Sequence, residues 1–234
     1  MTRLNLIVEG QSEESFANAV LMNHLADNNV FLSVQQVLTG RGQQSHIKYK
    51  GGLGRAKGQG WPRLRNHLSN WIKQQVRQPD TYFSSFIDFY ALPADFPGYD
   101  DAQKLRDPYQ KVAQLEKRFG EEIGSPRFVP YIQLHEFEAL ILCDVDKLQT
   151  LFLDDQDGIA AIKAEVEKFS SPELINEGNE TAPSKRLAKH IPSYWKTKTA
   201  CAKIVSPTIG LQVMRSQCPH FHQWVAKLET LRTG

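Results

Sequence analysis

The strongest constraint on the fold of this chain is an alternation. Short apolar runs take turns with segments whose apolar residues recur at helical spacing. Leu4, Leu6 and Val8 alternate, Ile7 joins them, and together they read as a short buried strand. Three more runs read as strands: "VFLSVQQVL" from Val30 to Leu38, "TYFSSFID" from Thr81 to Asp88, and "FVPYIQL" from Phe128 to Leu134. Pro130 lies in the last of these and predicts an edge position or a bulge, because proline cannot donate to a ladder. Between the runs lie helical patterns. Ser12 can cap one that carries Phe16, Val20 and Leu25, with Glu13 and Glu14 in a first turn where the helix dipole favours anions. Leu64, Leu68, Trp71, Ile72 and Val76 mark a second. Asp107 and Pro108 open a third, with Tyr109, Val112, Leu115 and Phe119 as its buried stripe and Gly120 as its stop. This order predicts an α/β fold with a mostly parallel sheet flanked by helices. Strand signals end after about Val145. The expected organisation is an α/β domain over 1–142 and a helical extension over 143–234 packed on it.

The 234 residues suffice for such a domain and its extension, and no apolar run is long enough to span a bilayer. The N-terminus lacks a signal-peptide pattern. Cys143, Cys201 and Cys218 are odd in number and far apart, which suits a reducing cytoplasm better than a disulfide framework. The net charge of +2 is small, but it is segregated. From Asn28 to Pro79 there is no Asp or Glu, while Arg41, Lys48, Lys50, Arg55, Lys57, Arg63, Arg65, Lys73 and Arg77 all fall there. Glycines crowd the first part of this tract, Gly40 to Gly60, which reads as a loop. Lys and Arg neutralise phosphates, and Tyr49 and Trp61 offer rings on which bases could stack, so nucleic acid is the expected partner. A solvated basic loop followed by a cationic helix face is the plainer alternative.

The acids follow the strands. Glu9 ends the first strand, in "LIVEGQSEE"; Asp88 ends the third; Glu136 and Glu138 follow the fourth. Ligands of open α/β sheets bind outside the carboxyl ends of the strands. Carboxylates gathered there need a counter-ion, and a hard divalent cation such as Mg²⁺ takes oxygen ligands. Glu9, Asp88, Glu136 and Glu138 are therefore the candidate ligands and catalytic groups. His135, beside Glu136, is a candidate general base. An acid after a strand is also an ordinary cap, and Glu13 and Glu14 read that way.

Taken together, "IVEGQSEESF", "FIDFYALPADFPG", "IQLHEFEALIL", "PSKRL" and "CPHFHQWVAKLE" resemble domain-of-unknown-function family 4276 over nearly the whole chain. That family is similar to the TOPRIM-like group of topoisomerases, primases and overcoming-lysogenisation-defect nucleases. The resemblance implies a TOPRIM-like parallel α/β sheet. It also implies a Glu after the first strand and an Asp-x-Asp after the third, binding Mg²⁺ or Mn²⁺. Glu9 matches the Glu and Asp88 the first Asp, but Tyr90 stands where the second Asp would be. Glu136 or Glu138 could replace the missing ligand. The function implied is a metal-dependent nuclease acting on DNA or RNA, with a role in phage defence. The alternative is a non-catalytic module that partners an ATPase.

Other chemistries are disfavoured. The glycines do not form a P-loop, "HEFE" is not the zinc-protease motif, and Ser84 and Ser85 lack the G-x-S-x-G elbow. Cys218, His220 and His222 in "CPHFH" are spaced as zinc ligands might be, but no second ligand pair accompanies them.

Overall fold

A computed structural model describes residues 1–37, 60–75, 77–175 and 181–231. It begins with β1 (Thr2–Val8), then α1 (Gln11–Phe16), a π-helical turn (Ala17–Leu21), α2 (Met22–Asp27), β2 (Val30–Gln36), α3 (Gly60–Gln74) and β3 (Thr81–Asp88). There follow α4 (Tyr99–Gln103), α5 (Pro108–Ile123), β4 (Phe128–Val129), β5 (Ile132–Gln133) and α6 (Glu138–Ile141). The rest is helical: α7 (Gln156–Val166), α8 (Pro183–His190), α9 (Tyr194–Ile209), α10 (Leu211–Gln217) and α11 (Pro219–Glu229).

Strand order is β2-β1-β3-β4, with β5 also on β3, and every pairing is parallel. The apolar run Leu6–Val8 at the carboxyl end of β1 is explained by its central place, since a parallel strand covered on both faces is largely apolar on both. Leu4, Leu6 and Val8 face one core, with Phe16, Phe86, Phe137 and the C-terminal residues Phe221, Trp224 and Val225. Ile7 faces the other, with Phe83, Ile87, Trp61, Leu64, Leu68, Val112, Leu115 and Phe119. The period of two along the strand thus assigns the helices to two layers. The helical region beyond 142 shares an apolar cluster with β1 and β3.

The fourth strand differs from expectation. Pro130 splits it into β4 and β5 at the sheet edge. Two serines of β3 stitch the break: Ser84 Oγ donates to the Val129 carbonyl at 2.6 Å, and Ser85 Oγ donates to the Tyr131 carbonyl and accepts from its N–H, both at 2.9 Å. Trp224 Nε1 in turn donates to Ser84 Oγ at 2.9 Å, tying α11 to the sheet. These serines hold structure, which agrees with the absence of a hydrolase elbow.

Two boundaries are corrected. The residue before α1 is Gly10, and no side chain caps it, so Ser12 lies inside the helix. Gly120 does not end α5; the helix runs to Ile123, and Gly124 ends it in the left-handed conformation at φ +64°. Gly120 is an interior glycine whose added Cβ would meet only Pro130 Cγ, at 3.7 Å. Gly158 of α7 is different, since a Cβ there would lie 2.3 Å from the His190 carbonyl oxygen. Gly120→Ala should therefore stabilise the fold by about 0.5–1 kcal/mol, the usual helix-interior difference. Gly158→Ala should destabilise it by about 1–3 kcal/mol through overpacking of α7 on α8. Urea unfolding of the two variants checks both signs; two shifts of the same sign would contradict the assigned packing.

Candidate functional site

β1 lies between β2 and β3, so the chain reverses its direction of sheet growth between β1 and β3. Ligand clefts of open α/β sheets form at such a switch, at the carboxyl ends of the strands. Glu9 follows β1 there and Asp88 ends β3, the neighbouring strand. The Glu9 carboxylate lies near the Asp88 backbone N–H, which favours its charged form. Asp88 feels the charges of Glu9, Glu13, Glu136 and Glu138, and Glu136 feels that of Glu138.

The acids are not equivalent. Glu138, buried at the start of α6, accepts from Tyr194 Oη at 3.0 Å and is ion-paired through the same oxygen, Oε1, with Lys198 Nζ at 2.7 Å. Glu136 accepts from the Ser184 N–H through Oε2 at 2.8 Å. Glu9 Oε2 and Asp88 Oδ1, by contrast, are buried with no hydrogen-bond partner among the described residues. A buried acceptor left unpaired is costly, and more so when it carries charge.

One acid in the first turn of α1, as its position predicts, is also part of the cluster. Glu13 is buried and belongs to the cluster. It sits at the third position of α1 and its carboxylate reaches back to the Gly10 N–H, the returning half of a capping box. A Cβ on Gly10 would stand 3.3 Å from Glu13 Oε2, so glycine leaves room for this carboxylate. "EGQSE" carried the signal: an acid three residues after the cap of a helix that begins at a strand's carboxyl end.

The electrostatics follow from burial. Burial first, and then the Glu13 charge, push the Glu9 carboxyl up to about 8. Burial likewise lifts Glu13 to about 7, with Glu138 adding to it. Asp88 is driven well above the usual carboxylate range by burial, then by Glu13 and Glu9. Glu136 moves up through burial and Glu138. Lys198 is the ammonium within this group; burial opposes its charge, but Glu138, Glu136 and Asp88 outweigh that and raise it. Among the described residues, this one ammonium cannot balance Glu9, Glu13, Asp88, Glu136 and Glu138 together, so without a further cation some carboxyls stay protonated.

His135 stands apart. Its backbone is left-handed, at φ 62°, and its ring lies 5.3 Å from that of Tyr90 and 6.4 Å from that of Phe89. Neither ring nitrogen has a partner. Burial, with the Lys111 charge, takes it down to about 4, so it is neutral at physiological pH. Tyr90, in the place of the expected second Asp, has a buried hydroxyl without a partner; burial and then Glu136 raise its pKa.

Among the described residues, no three His, Cys, Asp or Glu side chains are grouped as a ready ligand shell. The donor chemistry nonetheless fits a hard cation at Glu9 and Asp88. Mg²⁺ is commonly held by only one or two carboxylates, with waters and phosphate oxygens filling its octahedron.

The basic tract is only partly placed. Arg41, Lys48, Tyr49, Lys50, Arg55 and Lys57 lie outside the described residues. Arg63 and Arg65 are exposed on α3. Trp61 is not a base-stacking surface. It is buried, with its ring 5.1 Å from Phe96 and 5.5 Å from Phe119, because α3 needs a large apolar anchor against α5. The "CPHFH" residues point to three different partners. Cys218 Sγ is 3.4 Å from Cys143 Sγ, His220 Nε2 is 3.0 Å from Glu116 Oε1, and His222 Nδ1 accepts from Arg215 Nε at 3.1 Å.

A family model described as a domain of unknown function, DUF4276, matches residues 8–229. The chain belongs to the DUF4276 family. The DUF4276 match takes in Glu9, Asp88, Glu136 and Glu138 and also the C-terminal helices that carry Ser184, Tyr194 and Lys198. No curated protein matches the chain, and no solved structure does.

The raised carboxyls predict a pH dependence. Glu9 is held at about 8 in the fold against an ordinary 4.5, so the folded chain binds protons that the unfolded chain has released. Stability from this source is complete below about 4.5 and is lost as pH rises through about 8. The opposing contribution of His135, lowered from 6.5 to about 4, is already complete above 6.5. In EDTA, the melting midpoint should therefore fall as pH is raised from 6.5 towards 8, and Glu9→Gln should flatten the fall. Equal slopes for the two proteins would contradict the assignment.

Proposed function

We propose that this protein is a divergent TOPRIM-like nuclease that hydrolyses DNA or RNA phosphodiesters with Mg²⁺ or Mn²⁺, in the cytoplasm and in the service of phage defence. One observation carries the reading: Glu9 Oε2 and Asp88 Oδ1 are buried, unpartnered and on adjacent strands at the sheet's switch point. Those two carboxylates would hold the ion. When bound, the cation would lower the pKa of a water and neutralise charge developing on the phosphoryl group.

The chain's own residues divide the remaining work. Lys198 and Tyr194 engage Glu138 through Oε1, which takes that oxygen out of competition for the ion. The Ser184 amide fixes Glu136 through Oε2, and its raised carboxyl is the one best suited to take a proton from an attacking water. His135 is a weaker base, because burial has already brought it down to about 4. Glu13, folded over Gly10, keeps the local potential negative and so favours a cation at Glu9.

A second reading has its own support. Tyr90 in place of the expected Asp, together with the lack of a three-ligand group among the described residues, favours a non-catalytic module serving an ATPase.

Supercoiled, linear and single-stranded substrates incubated with the purified protein in Mg²⁺ and in Mn²⁺ separate the two. The nuclease reading expects cleavage that Glu9→Gln and Asp88→Asn each reduce to background while the melting curve persists. No cleavage with either metal, alone or with an ATPase partner, would overturn it.

A further inference from the structure

The C-terminal helices hold a second charge pattern. From Thr181 to Leu228 the chain has no Asp or Glu, so α8, α9 and α10 are purely cationic in sequence. Some of these cations serve the fold: Arg186 and Lys189 bind Glu165, and Lys198 binds Glu138. Lys196 and Lys203 are exposed, and among the described residues no ion pair engages them. They lie two turns apart, one above the other on α9, and Trp195 stands about a quarter turn round the helix from them.

Trp195 is the anomaly on this face. It is 53% exposed, while Trp61, Trp71 and Trp224 are buried. An exposed indole forgoes the burial that normally stabilises so large a ring. Its position is informative as well. Lys198 Nζ lies 5.2 Å from the centroid of the Trp195 ring and 2.7 Å from Glu138 Oε1. One ammonium, on a side chain 32% exposed, thus sits over a face of the exposed ring and pairs with the acid cluster.

We propose that Trp195 is a base-stacking platform at the mouth of the site, and that Lys196 and Lys203 bind phosphates of the same single strand. This rests on the reading of the acid cluster as a phosphodiester-cleaving site. The chemistry of the face selects the partner. Lysines alone would suit any polyanion, but an exposed planar ring among them suits an unpaired base, whose face is available for stacking. Duplex DNA offers phosphates without free base faces. An acidic polypeptide would meet the lysines and leave the indole unused. Lys198 is neutralised by Glu138, so it fixes the ring over the site rather than contacting phosphate.

The test uses the full chain in EDTA, so that binding is read without cleavage, with a fluorescein-labelled oligothymidylate as probe. Because the other tryptophans are buried, iodide quenching of the intrinsic fluorescence reports mainly on Trp195. Wild type should bind, and bound oligonucleotide should shield Trp195 from iodide. Trp195→Ala should weaken binding about ten-fold or more, the range for loss of one base–aromatic stack, whereas Trp195→Phe should keep most of it. Lys196→Ala with Lys203→Ala should lower the salt slope by about 1.4, at about 0.7 per phosphate on a single strand. The substituted residues are exposed, so the melting midpoint should not move.

Wild-type binding that Trp195→Ala leaves unchanged would overturn the platform while leaving the nuclease reading intact. Trp195-dependent binding with no cleavage in Mg²⁺ or Mn²⁺ would uphold the platform and sink the nuclease reading. No binding by wild type, or a Trp195→Ala effect confined to oligomeric state, would overturn the platform.

Discussion

Glu9 and Asp88 sit side by side at the ends of two neighbouring parallel strands, each with a buried oxygen that no group among the described residues satisfies. Much of the architecture can be read as a consequence of keeping them there. An ionised carboxylate is expensive to bury, and a second beside it makes both harder to ionise. The structure meets this partly with Lys198 and partly by holding protons on Glu9, Glu13 and Asp88. A protein needing only a stable core would place apolar side chains at these strand ends. Retaining acids there makes sense if a cation replaces the protons when the site is in use.

The C-terminal helices are inseparable from that site. Ser184 on α8 fixes Glu136, and Tyr194 and Lys198 on α9 fix Glu138. The helices are themselves anchored on the sheet by Phe221, Trp224 and Val225 in the core that contains Leu4, Leu6 and Phe86. Trp224 also donates to Ser84 of β3. The sheet positions two carboxylates and the helical region holds the others in place, so the cluster exists only where the two meet.

Sequence revealed the sheet well because its signals are local. Leu4, Leu6, Ile7 and Val8 of β1 and Phe83, Phe86 and Ile87 of β3 are apolar because those strands are covered on both faces, and Asp88 ends β3 where the strand signal stops. Pro130 announced the edge, though not that the strand would split and be stitched by Ser84 and Ser85. Gly120 misled because an interior glycine and a terminal one look alike without backbone angles; of the two, it is Gly124 that carries the left-handed φ. Glu9 and Asp88 were legible as strand ends, and Glu13 was not, because a helix-dipole acid and a buried capping-box acid share one pattern. Trp61 was read from its basic neighbours, when the helical spacing to Leu64 and Leu68 is what decides its burial. Lys198 and Tyr194 gave no sequence signal at all. Their roles depend on α9 packing against α1 and α6, a long-range contact that no local pattern encodes.

The central claim is that Glu9 and Asp88 form one cation site whose occupancy displaces protons. Calorimetric titration of Mn²⁺ into the protein at pH 7, repeated in two buffers of different ionisation enthalpy, measures both binding and proton release. The account predicts one site per chain, proton release on binding because Glu9 starts near 8, and loss of the site in Glu9→Gln and Asp88→Asn. Absence of binding in wild type, or binding that both variants retain, would contradict it.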